Sequence, residues 1–161
     1  MAGTVSHPII ARSMLAPYGS IPLYKGPEAA SLSGGIGTVL ISSAGYIDEA
    51  AADPTSDIVG LSVKAGANGS AGAVDMEFVP ALPGIVFSGV LEDETNNNHV
   101  SVATNRYAKY ALQRDATNDR WYLDENDTSA VSVRTLEQID AIGTTKGRFR
   151  FVFLASETIY V

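Results

Sequence analysis

The side chains that could do acid–base or metal chemistry are few in this sequence and stand apart from one another. There are two histidines. His7 lies among apolar residues, and His99 follows three asparagines in a polar stretch. Neither has a sequence neighbour that would complete a catalytic triad or a metal pair, and such sites need several converging groups. Both are read as surface residues. Two acidic runs, Glu92-Asp93-Glu94 and Asp124-Glu125-Asn126-Asp127, offer hard oxygen ligands of the kind calcium takes. The second opens like an EF-hand loop. It then has Ser129 where the sixth-position glycine belongs and Thr135 where the twelfth-position glutamate belongs. Both runs are therefore read as solvated loops. Ser33-Gly34-Gly35-Ile36-Gly37 is glycine-rich but matches neither the dinucleotide fingerprint nor the phosphate loop, and it reads as a hinge. No catalytic residue, metal ligand or cofactor site is expected, and the chain is not expected to be an enzyme.

Composition narrows the partners. The chain has 161 residues, a formal net charge of -7 and a hydrophobic fraction of 45%. A core is within reach, and one domain is expected. The acidic balance repels phosphate backbones, so nucleic acid is not an expected partner. The one basic grouping visible in the sequence is Arg148 and Arg150 beside Lys146. With no cysteine, disulfides and thiolate chemistry are excluded. No stretch approaches the roughly 20 apolar residues of a membrane helix, and no membrane partner is expected. Pro8, Arg12 and Pro17 interrupt the N-terminal apolar run, so no export signal is expected there.

The elements that would position these groups are mostly short strands. Val74-Asp75-Met76-Glu77-Phe78 alternates cleanly, and Ile58 to Lys64 alternates with Val59, Leu61 and Val63 on one face. Ile85 to Leu91, a strand from about Tyr107, Arg120 to Asp124, Val131 to Arg134 and Arg148 to Leu154 follow, with Ala116 to Asp119 as a hairpin turn. Thr135-Leu136-Glu137-Gln138 matches a capping box and Gly143 suits a C-cap, so a short helix is expected between them. Glu157 to Val161 is a candidate last strand. The pattern predicts an all-β fold, a small β-barrel, β-tulip-like or sandwich domain, with at most one or two short helices.

Residues 1–35 differ from the rest. Prolines 8, 17, 22 and 27 rule out a helix and favour an extended course. Yet Ile9, Ile10, Met14, Leu15, Tyr18, Ile21, Leu23 and Tyr24 call for burial, which a solvated linker does not. The segment is read as an extended arm (1–35) ahead of a β domain (36–161), with those eight side chains binding a partner. Removing residues 2–33 is expected to leave the β domain folded. An arm that buries its apolar groups only on a partner contributes its roughly 1.5 to 3 kcal/mol per buried Ile, Leu or Met where that partner is present.

Three features together resemble the head decoration, or cement, proteins of tailed bacteriophages. They are the Pro-interrupted arm, the middle segment Val74 to Leu91 with its Pro83-Gly84 turn, and the C-terminal series Tyr110-Ala111-Leu112, Trp121 to Asp124, Val131 to Arg134 and Arg148 to Phe153. The resemblance covers most of residues 37–154. It implies a β-barrel or β-tulip domain on the outer surface of the virion capsid, bound to the major capsid protein as a homotrimer or a dimer. There it would stabilise the expanded head, with no catalytic role. Two alternatives remain at this level: another virion β module of the tail or baseplate, and a carbohydrate-binding module stacking sugars on Trp121, Tyr122 and Tyr107.

Overall fold

A computed structural model of the chain describes residues 10–13, 21–93 and 99–160. The described residues form eleven strands and two single turns of 3-10 helix. In chain order the strands are β1 (Ile10–Ser13), β2 (Tyr24–Pro27), β3 (Val39–Ser43), β4 (Tyr46–Glu49), β5 (Ile58–Ser62) and β6 (Asp75–Pro80). Then come β7 (Ile85–Glu92), β8 (Lys109–Asp115), β9 (Arg120–Asp124), β10 (Val133–Gln138) and β11 (Arg148–Phe153). The fold is all-β, as the alternation and the turn spacing require.

Five strands close into a barrel in the order β7-β11-β10-β8-β9. Four of its seams are antiparallel. The fifth, β9 to β7, is parallel and pairs Leu91 with Leu123 and Glu92 with Asp124. The remaining strand of this sheet, β1, pairs with Ile85 to Ser88 of β7. Strand β11 occupies the other edge of β7, so β1 and β9 share one edge end to end. The second sheet runs β2-β6-β5-β3-β4, all antiparallel. It curls until its outer strands meet: Glu28, just after β2, bridges Ile47 of β4, and the Ala29 N–H donates to the Ile47 carbonyl at 2.8 Å.

Alternation decides what each face buries. Strand β11 turns Phe149, Phe151 and Phe153 into the barrel, where Phe87, Phe151 and Phe153 pack with ring centroids 5.1 to 5.8 Å apart. Offset and edge-to-face contacts of this kind add about 0.5 to 1.5 kcal/mol per pair beyond burial. Val39, Ile58, Leu61 and Val79 of the second sheet join the same cluster. The opposite face of that sheet buries Leu40, Ile47, Val59, Met76 and Phe78 around Leu32. The strand β5 is thus buried along its whole length.

Several expectations are corrected. Val59 and Leu61 lie in different clusters, because the register slips between Leu40–Gly60 and Ile41–Ile58 and this bulge reverses the alternation. The expected helix after Thr135 is strand β10. Thr135 faces inward and its hydroxyl donates to the carbonyls of Asn105 and Ala108, so it anchors a neighbouring segment instead of capping a helix. Gly143 serves the β10–β11 connection with φ +90°. The last segment makes a 3-10 turn at Ala155–Glu157 and one bridge from Thr158 to Ile58 in place of a strand. The hinge reading of residues 33–37 also fails. Gly34 is buried, and the Gly35 carbonyl accepts from the Thr38 and Ser62 hydroxyls at 2.8 and 2.7 Å.

The second part of the expected arm is built into the domain. Strand β2 is a member of the second sheet, and Glu28 and Leu32 are buried in it. Removing residues 2–33 would therefore take away a strand and a core leucine, and the domain is not expected to survive that deletion. Gly60 shows how little slack the sheet has: a Cβ there would lie 2.0 Å from the Val79 carbonyl oxygen. Gly60→Ala should lower the denaturation midpoint by the equivalent of about 3 kcal/mol. Gly69→Ala, which meets nothing within 4 Å, should change it by less than about 0.5 kcal/mol. Urea titrations of the two variants at constant slope check this.

Candidate functional site

The barrel places most of the reactive side chains at one end. Because β7 and β9 run parallel, they finish together at Glu92 and Asp124, and the Glu125 N–H donates to the Glu92 carbonyl at 3.0 Å. Residues 99–101 pair with 143–146 in the β10–β11 connection and reach the same end. His99, Asn105, Tyr110, Glu125 and Gln138 are gathered there although the sequence scatters them.

The His99 ring is almost fully buried and both of its nitrogens are engaged. Nδ1 meets the Glu125 carboxylate, and Nε2 lies 3.2 Å from Asn105 Oδ1. The Val102 N–H also donates to that Oδ1 at 2.7 Å, while Asn105 Nδ2 donates to the Tyr110 hydroxyl at 2.8 Å. A carboxylate that orients an imidazole is half of a triad. Here the far nitrogen meets an amide oxygen in place of a nucleophilic hydroxyl, so the group ties a loop to the barrel. Burial pushes the Tyr110 hydroxyl pKa up, with the Asn105 bond opposing and the Glu125 charge adding to the rise. The reading of His99 as a surface residue is corrected.

A second polar group lies on the outer side of the closing seam. Glu92 is fully buried at the end of β7 and receives both terminal nitrogens of Arg120, with Lys146 Nζ 3.5 Å away. Arg120 Nε donates to Asp115 Oδ2 at 3.1 Å, and its guanidinium stacks 5.6 Å above the Tyr122 ring centroid. The Glu92 hydrogen bond raises the Arg120 pKa, against the opposing effect of burial. Glu92 was read as part of a solvated loop, and no local signal could have corrected that, since its partner is 28 residues away. The only hint is its place at the end of an aliphatic strand.

In the second acidic run Glu125 is held by His99, and the two aspartates accept from groups of their own loop. Asp124 is buried and accepts from the Asn126 N–H; Asp127 Oδ1 accepts from the Ser129 N–H and hydroxyl and from the Ala130 N–H. Among the described residues no three His, Asp or Glu side chains are grouped to hold a metal ion. The three basic residues prominent in the sequence are also committed: Arg148 to Asp140, Arg150 to Glu137 and Lys146 to Glu92. Of the rings considered for sugar stacking, Trp121 and Tyr122 are buried and only Tyr107 is exposed.

Ile9, Met14, Leu15 and Tyr18 of the predicted arm fall outside the described residues. Ile10 is placed opposite Ser88 at the start of β1. Ile21 packs against the main core. Leu23 and Tyr24 are exposed, although the Tyr24 ring meets Phe78 and Tyr160 edge-on. Burial, aided by nearby Tyr24, pushes the Tyr160 hydroxyl up to about 12. The structure therefore does not gather the eight predicted arm residues into one described surface. Comparison with family models, curated proteins and solved structures gives no match.

Two tests follow from the buried ion group. Glu92→Gln leaves Arg120 short of a partner inside the fold and should cost about 3 kcal/mol in denaturant unfolding. Glu92→Met combined with Arg120→Met should cost less than the single change, because the two most buried charges leave together, Asp115 keeps its bonds to Thr117 and Asn118, and Lys146 is part-exposed. The second test is pH. Burial pushes the Asp115 carboxyl up, but Asn118, Arg120 and the Thr117 N–H outweigh it and hold it below its usual 3.8; the Ser129 hydroxyl chiefly does the same for Asp127. Their contribution is fully present above the ordinary aspartate value and is lost as pH falls through each lowered value. Acid unfolding of Asp115→Asn should show a shallower loss below that value and lower stability at neutral pH.

Proposed function

We propose that this chain is a structural virion protein, a head decoration protein that binds the outside of the major capsid lattice of a tailed bacteriophage and stabilises the expanded head. The observation that carries this reading is the placement of β1. The barrel is closed by β9 and does not need β1 to complete it, yet β1 adds along the free half of the β7 edge. A strand supplied by an N-terminal segment to a sheet edge is a transferable contact. The same backbone bonds form whether the edge belongs to its own chain, to a neighbouring copy or to a capsid subunit. Copies linked in a trimer would then hold the lattice by avidity even if each contact is modest.

The polar end of the barrel agrees with a role in holding shape, since its histidine, carboxylates and arginine are engaged with one another. Cosedimentation with expanded, undecorated heads of the source phage tests the reading. The full chain should bind saturably, and a chain lacking residues 1–20 should bind about tenfold more weakly or worse while keeping its β circular dichroism. A full chain that stays in the supernatant, or a truncated chain that binds as well, overturns it. Native mass spectrometry of the full chain should show a trimer.

A further inference from the structure

Among the described residues, three of the cations outside ion pairs fall on one patch. Arg106, Lys109 and Arg134 are exposed and make no ion pair with a described residue. Lys64, which also makes none, lies in the field of Glu77 on the other sheet. Lys109 and Arg134 stand directly opposite each other across the β8–β10 seam, on the outer face of the barrel. Like charges in that arrangement repel and work against the pairing. In a chain of net charge -7 carboxylates are plentiful, yet among the described residues none pairs with these three cations.

The segment that carries the other members of the patch is held rigidly. The Thr135 hydroxyl donates to the carbonyls of Asn105 at 2.6 Å and Ala108 at 3.1 Å, and the Thr135 N–H also donates to Ala108. These bonds pin both ends of Arg106-Tyr107 beside Arg134. Between them Tyr107 adopts φ +60°, a left-handed conformation that a bulky side chain rarely takes, and the residue is 67% exposed. Strain of this kind persists where surrounding bonds enforce it, and it is concentrated at ligand-binding positions. An exposed, preset aromatic ring among unpaired cations is the composition of an interface anchor.

We propose that Arg106, Tyr107, Lys109 and Arg134 form a docking surface for an acidic segment of a partner protein. Carboxylates of the segment meet the three cations, and an apolar or aromatic side chain packs on Tyr107. A short peptide matches the patch because its charge ends where the patch ends. A nucleic acid backbone carries charge continuously and would run on over an acidic molecule. The surface deepens the proposed function, resting on it only for the identity of the partner as capsid.

The probe is a fluorescein-labelled peptide of alternating Asp and Glu with one central Phe, followed by fluorescence anisotropy at low salt. The wild-type chain should bind it, and Lys109→Ser with Arg134→Ser should weaken binding about tenfold. Lys25→Ser with Lys64→Ser changes the net charge equally on the other sheet and should leave binding intact. Tyr107→Ala should weaken binding to the Phe peptide more than to its Ser counterpart. No binding by the wild type, equal loss in both double variants, or tighter binding of a DNA duplex or of phosphatidylserine vesicles overturns the proposal. Peptide binding without head binding would count against the decoration reading and leave the surface standing; head binding without peptide binding would remove the surface alone.

Discussion

The parallel seam between β7 and β9 is the constraint on which the other features depend. A parallel pair cannot be made by a hairpin, and β8 must cross to β10 and return before β9 can meet β7. The closure carries only two register pairs, Leu91 with Leu123 and Glu92 with Asp124. Leu91 and Leu123 face the barrel interior, whereas Glu92 faces outward and is nonetheless buried. A buried carboxylate is tolerated only when its charge is met. Arg120 meets it from the start of β9, and Asp115 and Tyr122 hold that guanidinium in place. The ion group therefore ties one strand of the closing seam to the far part of the other. Its value lies in fixing that closure more than in net stability, since desolvation offsets much of the attraction.

Closure by β9 leaves half of one β7 edge open, and that half receives β1. The edge is thus covered without being committed to the barrel. Bare edges invite pairing with other chains, and a segment from the same chain blocks that hazard here. The second sheet treats its edges differently. The bridge from Glu28 to Ile47 joins its outer strands, and residues that looked like part of a loose arm become its first strand.

The polar groups divide by burial. The histidine group at the barrel end is satisfied internally: His99 by Glu125 and Asn105, Asn105 by Val102 and Tyr110. Such a network gives rigidity because each member left unpaired would be expensive. The cations at 106, 109 and 134 are the opposite case, exposed and outside any ion pair among the described residues. The first set holds the fold; the second is available to something outside it.

The alternation of Met76 and Phe78 with Asp75 and Glu77, that of Arg148 to Phe153, the hairpin at Ala116 to Asp119 and the all-β class were all legible in the sequence. Each depends on a local period or on turn chemistry that no distant contact overrides. Val74, expected to point inward with Met76 and Phe78, lies exposed just before the strand. Other features were decided only in three dimensions. The capping-box pattern at Thr135 is real local chemistry, but the ladder to β11 and the bonds to Asn105 and Ala108 outweigh it. The register slip beside Gly60 separates Val59 from Leu61, and the Val79 backbone leaves no room for a Cβ at Gly60. Prolines made residues 21–35 look like part of an extended arm outside the domain, yet Pro27 ends an outer strand of the second sheet, where a missing donor costs little. The pairing of Glu92 with Arg120, and the isolation of Lys109 beside Arg134, follow from strand order and register. Sequence period reports which face a side chain takes; only closure of the barrel determines which charges end up opposite one another.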